Sequence, residues 1–416
     1  MFYNKLYIGT ALCLLMSTTA AFAADTSIDA RIAALEAKIK NLETTSIQNA
    51  APPSNAMSVF NPSMNIILNG RYGYFSKDQD GIPGFQIGEE GMRGDRGISV
   101  GESELNFGAN VDDKIYAALT AAIVSEDGED IIELEEAYIQ SLGLPYGVTL
   151  TGGRLFPTFG YLNEKHKHTD DFVDRPLPYR AYLNGGFSDD GVQAAIVLPT
   201  DFYSEIGGGV FRGRGFPAAS EGNDAGLFTA YARIGGDIGV GHAWRLGGSY
   251  LHAKSNHDGR EDEEFAFTGK DDIYGIDAKY TYSPNGNNKE QELTLQAEYL
   301  FRREKGVYDD GAVAAKFNSN TSGFYTQAVY KFMTQWRVGY RYAFLDAAKT
   351  PADFVGTALD SEGHDPQTHS LMAEYDTSEF GRFRLQYNYD LTYDKPDNQI
   401  ILQYTVSFGA HGAHGF

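Results

Sequence analysis

The sequence has almost no cysteine, which limits its chemistry. Cys13 is the one cysteine among 416 residues. It lies in a stretch where Lys5 precedes an apolar run (6–16) and Ala21-Phe22-Ala23 provides a cleavage pattern, so we predict a signal peptide over 1–23. The mature chain then contains no thiol, which excludes disulfides, thiol catalysis and cysteine metal sites.

Long hydrophobic runs are also missing. No stretch after the N-terminus offers the roughly 18 continuous apolar residues of a membrane helix. The mean hydropathy is only -0.35, although the chain has 27 Tyr and 26 Phe. A β-barrel hides its hydrophobicity in this way, because apolar and polar residues alternate along each strand. A soluble propeller or sandwich is the alternative, but the sequence shows no blade-like repeat.

Motifs for chemistry and for nucleic acid are absent as well. Ser255, His257 and Asp258 are neighbours in one predicted loop, but sequence neighbours do not make a positioned triad. No segment is basic and aromatic enough to bind nucleic acid. We therefore predict a non-enzyme without a cofactor. An outer-membrane hydrolase and a non-conducting structural or adhesin barrel are kept as alternatives.

The chain instead contains many alternating segments. In 398–408 the apolar side chains fall on every second residue, and the sequence ends on Phe416. A period of two gives a strand one apolar and one polar face. A final strand of this kind resembles the end of a bacterial outer-membrane barrel. The predicted strands are 64–75, 99–111, 114–124, 131–142, 147–156, 190–198, 203–212, 226–238, 242–254, 272–282, 291–303, 322–332, 335–345, 369–377, 381–393 and 398–408.

The links between these strands alternate in length. Links such as 239–241 and 333–334 are short, while links such as 76–98, 157–189 and 255–271 are long, as expected for periplasmic turns and external loops. We therefore predict an all-β fold, a transmembrane antiparallel β-barrel of about 16 strands over 62–416.

A short helix is predicted before the barrel. Apolar residues spaced by four and three residues over 24–43 form a heptad seam, which predicts a periplasmic coiled coil, and 44–61 reads as a linker. A helix packed on the barrel is the alternative. The seam residues are Ile28, Ile32, Leu35, Ile39 and Leu42.

Three segments carry a family resemblance. Ile-Glu-Leu-Glu-Glu-Ala-Tyr-Ile (132–139), the segment 144–160 with Gly-Gly-Arg-Leu-Phe-Pro-Thr-Phe-Gly at its end, and Asp-Arg-Pro-Leu-Pro (174–178) resemble the phosphate-selective (O/P type) porins. The resemblance implies a homotrimer of sixteen-stranded barrels in the Gram-negative outer membrane. Each barrel would pass small hydrophilic solutes, in some members with a basic ladder that favours phosphate.

Basic residues recur on the face opposite the apolar stripe. Inward carboxylates are fewer on this face, so a positive wall is predicted although the formal net charge is -22. Cross-strand ion pairs between Arg and Asp or Glu are the alternative, since the sequence does not give the register. Anion preference and phosphate specificity therefore stay open. The pore-lining candidates are Arg71, Arg233, Arg245, Lys279, Arg302, Arg337, Arg341, Arg382 and Arg384.

The longest link, 157–189, is the predicted constriction. Its two histidines could bind a divalent metal with Asp170 or Asp171, which keeps a zinc-linked porin as an alternative, or they could be solvated. His411 and His414 in the tail are further weak metal candidates. Acidic loops could bridge through divalent ions to lipopolysaccharide and lipid. The constriction candidates are Lys165, His166, Lys167, His168, Asp170, Asp171, Asp174, Arg175 and Arg180.

Overall fold

The computed structural model describes residues 62–79, 81–126, 129–220, 225–261, 265–311 and 313–409. The predicted signal peptide, coiled coil and linker therefore lie outside the described residues. The tail histidines His411 and His414 lie outside them as well.

The described chain is one closed antiparallel barrel. Seventeen strand segments form a single sheet, in which β1 pairs with β17 and closes the ring. The first short segments, β2 and β3, both pair with β1 and share one position, so the barrel has sixteen strands. The predicted fold class is confirmed. The strands are β1 Ser63–Phe75, β2 Gly97–Val100, β3 Ser103–Asn110, β4 Ile115–Glu126, β5 Glu129–Ser141, β6 Val148–Leu155, β7 Asp189–Val197, β8 Tyr203–Phe211, β9 Leu227–Ile238, β10 His242–Glu261, β11 Ala266–Tyr282, β12 Glu292–Asp309, β13 Ala314–Met333, β14 Trp336–Asp346, β15 Gln367–Ser378, β16 Gly381–Leu391 and β17 Asp397–Gly409.

One predicted long loop is wrong. The segment 255–271 is mostly strand, because β10 and β11 stay paired as far as Glu261 and Ala266. An aromatic cluster packs against this extension, with Phe267 4.8 Å and Phe317 5.1 Å from Tyr308 between ring centroids. Burial of these rings stabilises the extension beyond the length that crosses a bilayer.

The two faces of the barrel have opposite chemistry. On β16, Phe383 and Leu385 are about half exposed, whereas Arg382 and Arg384, which alternate with them, are almost fully buried. The same alternation runs along β14 and β17. The apolar stripe thus faces outward and the polar stripe faces the interior. None of the described helices has the length and apolar character needed to cross a bilayer.

Two long loops fold into the interior. The loop 76–96 and the loop 156–188, here called the inward loop, meet in an apolar core with inward side chains of the wall. The inward loop contains a short 3-10 helix, Lys167–Thr169, and one α-helix, α1 Leu177–Leu183, whose residues are all buried. The ring of Tyr182 on α1 lies 6.0 Å from that of Phe85 in the first loop. This packing fixes the inward loop inside the barrel.

Candidate functional site

Where the inward loop leaves the wall, its backbone passes very close to two polar side chains. Gly160 has a φ of +61°, and a Cβ there would lie 2.4 Å from both Glu298 Oε2 and the Tyr179 hydroxyl. The next residue, Tyr161, donates its backbone N–H to Glu298 Oε2 at 2.9 Å. Glycine is required at this position because it tolerates both the left-handed conformation and the contact.

The nine predicted pore-lining cations all lie on inward faces of strands, and eight of them contact the inward loop. Glu164 of the loop binds Arg233 at 2.8 Å and Arg245 at 3.0 Å. Farther round the wall, Asp171 binds Arg337 at 3.2 Å. The arginines therefore anchor an acidic loop to the wall.

A second set of anchors is more deeply buried. Asp174 forms an ion pair with Arg341, whose side chain is 3% exposed, and also accepts a 2.6 Å hydrogen bond from Gln386. Burial opposes ionisation of Asp174, but the Arg341 charge and the hydrogen bonds from Gln386 and Arg341 together outweigh it, so the pKa of this carboxyl is below its usual range. Arg384 donates to the Asp170 carbonyl at 2.8 Å, and Arg382 donates to the His168 carbonyl.

Glu374 on β15 neutralises the arginines of this side. It accepts from Arg384 Nη2 at 2.7 Å, contacts Arg337, and lies 3.9 Å from Arg382 Nη1. Arg302 is held in the same manner by Asp271 and Glu304, and lies over the Tyr182 ring. The wall thus carries paired charges of both signs. This arrangement agrees with the alternative of ion pairs and not with an open basic ladder.

Three further candidates, Asp170, Arg175 and Arg180, form contacts within the interior loops. Arg175 pairs with Asp170, whose pKa is raised to about 6 by burial, an effect that the Arg175 charge only partly offsets. Arg180 on α1 donates to the Gly91 carbonyl at 2.7 Å and so joins the two interior loops. These charges hold the loop together, and Arg175 also lines the cavity beside the loop.

Three cations, two of them lysines, lie over the ring of Tyr161. Its ring centroid lies 4.9 Å from Lys165 Nζ, 4.8 Å from the Arg245 guanidinium and 4.9 Å from Lys279 Nζ. Lys279 also donates to the Tyr161 hydroxyl at 2.7 Å. Within the described ranges, neither lysine forms an ion pair with a carboxylate. Arg71 forms none either, and its guanidinium lies over Phe75.

The histidines of the loop are buried, so their interpretation as solvated residues is wrong. His166 and His168 are 5% and 3% exposed and contact Glu104, Glu135 and Glu136 of the wall. The predicted partners lie elsewhere, because Asp170 pairs with Arg175 and Asp171 with Arg337. The sequence signal for the true partners is the run of glutamates that spoils the alternation of β5.

Lys167 lies between these histidines and binds the opposite loop. Its ammonium contacts Glu90 at 2.7 Å and Glu102 at 3.0 Å. Burial alone would lower the pKa of Lys167, but the two carboxylates outweigh it, and the pKa is raised. The inward loop is therefore joined to the loop 76–96 as well as to the wall.

A cavity of about 910 Å³ lies beside the inward loop. Its wall mixes charges of both signs and has few apolar side chains, so it suits hydrated solutes. The charged lining residues are Asp78, Glu89, Glu90, Arg93, Asp95, Arg96, Glu102, Glu133, Glu135, Arg154, Lys165, Lys167, Arg175, Asp189 and Arg214.

Solved structures share this architecture. An anion-selective porin from Comamonas acidovorans is 13% identical, with a TM-score of 0.51 over 83% of this chain and 99% of that chain. OprB of Pseudomonas putida is 14% identical, with a TM-score of 0.51 over 84% and 94%. OmpF of Salmonella typhi is 13% identical, with a TM-score of 0.52 over 84% and 99%. The chain therefore has the porin fold.

Sequence comparison gives the family. A protein of Aquifex aeolicus (strain VF5), described as an uncharacterized protein, is 30% identical over 393 residues, which cover 87% of this chain and 81% of that protein. The chain belongs to the same family as this Aquifex protein. A comparison with known protein-family models finds no match.

Proposed function

We propose that the protein is an outer-membrane porin that lets small hydrophilic solutes or ions diffuse passively. The observation that carries the proposal is a charged loop fixed inside a closed barrel, next to a charged cavity of about 910 Å³. Solutes would pass between the inward loop and the wall, and the loop would set the constriction. Passage needs no chemistry, so the proposal includes no catalytic residue.

The outer surface supports a position in a Gram-negative outer membrane. Aromatic side chains such as Tyr72, Trp336, Tyr340 and Phe383 face outward, as in the interfacial girdles of such barrels. On β3–β7, by contrast, Phe107 is the one aromatic of the described residues that the register turns outward. This face, where lipid-anchoring rings are scarce, supports the predicted homotrimer. Chemical cross-linking would test the trimer.

Anion preference is a second candidate, which the cations around Tyr161 favour. Lys165 and Lys279 would present positive charge to solutes. The other inward cations are mostly paired with carboxylates, which argues for a weak preference and against a continuous phosphate ladder. The resemblance to phosphate-selective porins therefore supports testing phosphate as one solute among several.

The hydrolase alternative finds no support in the described residues. Ser255 lies within β10, where it is 4% exposed. A non-conducting tether differs from a porin in one measurable property, which is conductance.

Single-channel recording in planar bilayers tests the proposal. The porin should give stepwise openings, and a KCl gradient should give a reversal potential of modest size. Added phosphate should compete if the anion preference holds. A silent bilayer, from protein whose folded state is verified by circular dichroism, would contradict the porin and favour the tether.

A further inference from the structure

Two histidines of the inward loop meet three glutamates of the wall. His166 Nδ1 lies 3.3 Å from Glu104 Oε2 on β3 and 3.4 Å from Glu135 Oε2 on β5. His168 Nδ1 contacts the other oxygen of Glu104. One ligand atom each from Glu104, His166 and His168 lies within 4.8 Å of the others, and all three residues are buried. We call these residues, with Glu135 and Glu136, the histidine–glutamate cluster.

Two irregularities of the sheet aim the carboxylates at the histidines. The ladder beside β1 is interrupted at 101–102, just before Glu104. In β5, Glu136 pairs with Thr120 and Leu134 pairs with Ala121, so Glu135 is the extra residue of a β-bulge. A bulge turns a side chain away from its regular face and is common at functional sites. Here it gives the interior two adjacent carboxylates.

The two distances from His166 Nδ1 to the glutamate oxygens suit a shared metal ion better than direct hydrogen bonds. A good N–H···O bond spans about 2.9–3.0 Å, which is shorter than both distances from His166 Nδ1. Donors held about 2.0–2.2 Å from a tetrahedral Zn²⁺ lie roughly 3.3–3.5 Å apart, and the distances of 3.3 and 3.4 Å fall in this range. The two distances from His166 Nδ1 thus match edges of such a tetrahedron, whereas His168 Nδ1 is in direct hydrogen-bond contact with the other oxygen of Glu104.

The second nitrogen of His166 has the partner that metal-bound histidines normally have. Nε2 of His166 lies 2.9 Å from Glu136 Oε2, within hydrogen-bonding distance of that carboxylate. A carboxylate that accepts from one ring nitrogen fixes the tautomer and directs the lone pair of the other nitrogen to the metal. In this arrangement the lone pair of Nδ1 points toward Glu104 and Glu135.

We propose that Glu104, Glu135, His166 and His168 bind one divalent transition-metal ion, with Zn²⁺ the best-suited species. Two imidazoles and two carboxylates are the ligands that Zn²⁺ takes, whereas Ca²⁺ and Mg²⁺ require oxygen. Glu102, Glu104, Glu135 and Glu136 lie together here, and the Lys167 ammonium contacts Glu102, so a divalent cation would offset the repulsion among the other carboxylates. Glu102 and Glu135 also line the cavity, which gives the ion access.

Such an ion would join the inward loop to β3 and β5, in addition to the anchors that the arginines of β14–β16 provide. Any effect of the ion on conductance rests on the proposed porin function, whereas the binding of the ion does not. Arg382 is the nearby cation that would oppose the ion, and Glu374 lies 3.9 Å from it.

Zinc titration of the full-length protein in detergent tests the site. Protein stripped with a chelator should bind one Zn²⁺ per chain in isothermal titration calorimetry, and Co²⁺ should give the visible absorption of a four-coordinate ion. H166Q/H168Q should weaken binding at least 100-fold. E136Q should weaken it about 10–100-fold without changing the stoichiometry, as expected for a residue that orients a ligand.

Matched variants separate this site from other histidines. H411Q/H414Q and H252Q should bind Zn²⁺ as the parent does. The proposal is overturned if the parent binds no Zn²⁺, if H166Q/H168Q binds it unchanged, or if H411Q/H414Q abolishes binding. If H166Q/H168Q does not fold, the Zn²⁺ affinity of E135Q and the Co²⁺ spectrum of the parent protein decide whether the site exists. Conductance recorded on the same samples is independent: a conducting protein that binds no Zn²⁺ overturns this inference alone, and a silent one that binds it overturns the porin alone.

Discussion

Two sides of the inner wall carry the same residue types in different environments. On β12–β16, Arg302, Arg341 and Arg384 are 2–3% exposed and paired within the interior. On β9–β11, Arg233 and Arg245 have side chains 16% and 21% exposed. The difference shows that an inward arginine can anchor a loop or face solutes, according to how much water reaches the arginine itself.

The largest effect is expected on the buried side. E374Q leaves Arg337, Arg382 and Arg384 without their shared carboxylate. Removal of one partner from a buried ion pair costs about 3–5 kcal/mol. We expect a loss of this size in the free energy of unfolding, measured by denaturant titration in lipid or detergent. E292Q, whose carboxylate contacts hydroxyl groups at a strand end, is the control and should lose less than about 1 kcal/mol.

The second prediction compares two anchors of the inward loop. D174N removes the partner of the buried Arg341, while D171N affects a pair whose side chains are 18% and 23% exposed. D174N should loosen the loop, which would appear as a larger or noisier single-channel conductance and faster tryptic cleavage within 156–188. D171N should change both much less. Equal effects of the two variants would mean that burial does not determine anchoring.

The third prediction concerns the exposed side. E164Q removes the carboxylate that Arg233 and Arg245 share and leaves them paired with Glu205 and Asp277 alone. A pair with this much exposure contributes only about 0–1 kcal/mol. We expect an almost unchanged free energy of unfolding but a reversal potential shifted toward anions. Destabilisation as large as that of E374Q would abolish the distinction between the two sides.

The smallest effect is expected from a single lysine near Tyr161. K279Q removes one positive charge that has no carboxylate partner in the described chain, so the reversal potential should shift slightly toward cations. K289Q, in the exposed turn between β11 and β12, is the control. An identical shift in both variants would place Lys279 outside the conducting path.

The alternation of residues was enough to predict the barrel. Each of the sixteen predicted segments matches a barrel position, because a period of two is a local property of the chain. Pairing is not local. Arg337 and Glu374 are 37 positions apart and meet only through the register of β14 with β15, which the sequence does not state.

Irregular positions were the hardest to interpret. The adjacent glutamates of β5 looked like a weak strand, whereas the extra residue at Glu135 is a bulge that turns carboxylates inward. The extension of β10 and β11 was missed for a different reason. It depends on aromatic contacts of Phe265 and Phe267 with residues distant in sequence, such as Tyr308.

The long strands β10–β13 give the barrel an uneven height. They contain 17 to 20 residues, whereas β6–β8 contain 8 or 9, and about 9–11 tilted residues suffice to cross a bilayer. With the long loops on the external side, as expected for the proposed porin, the additional residues of β10–β13 extend beyond the membrane on one side of the mouth. They form a paired sheet that aromatic rings stiffen. Large particles would meet these extended strands first, so they would reach the mouth chiefly from the opposite side, where the strands are shorter.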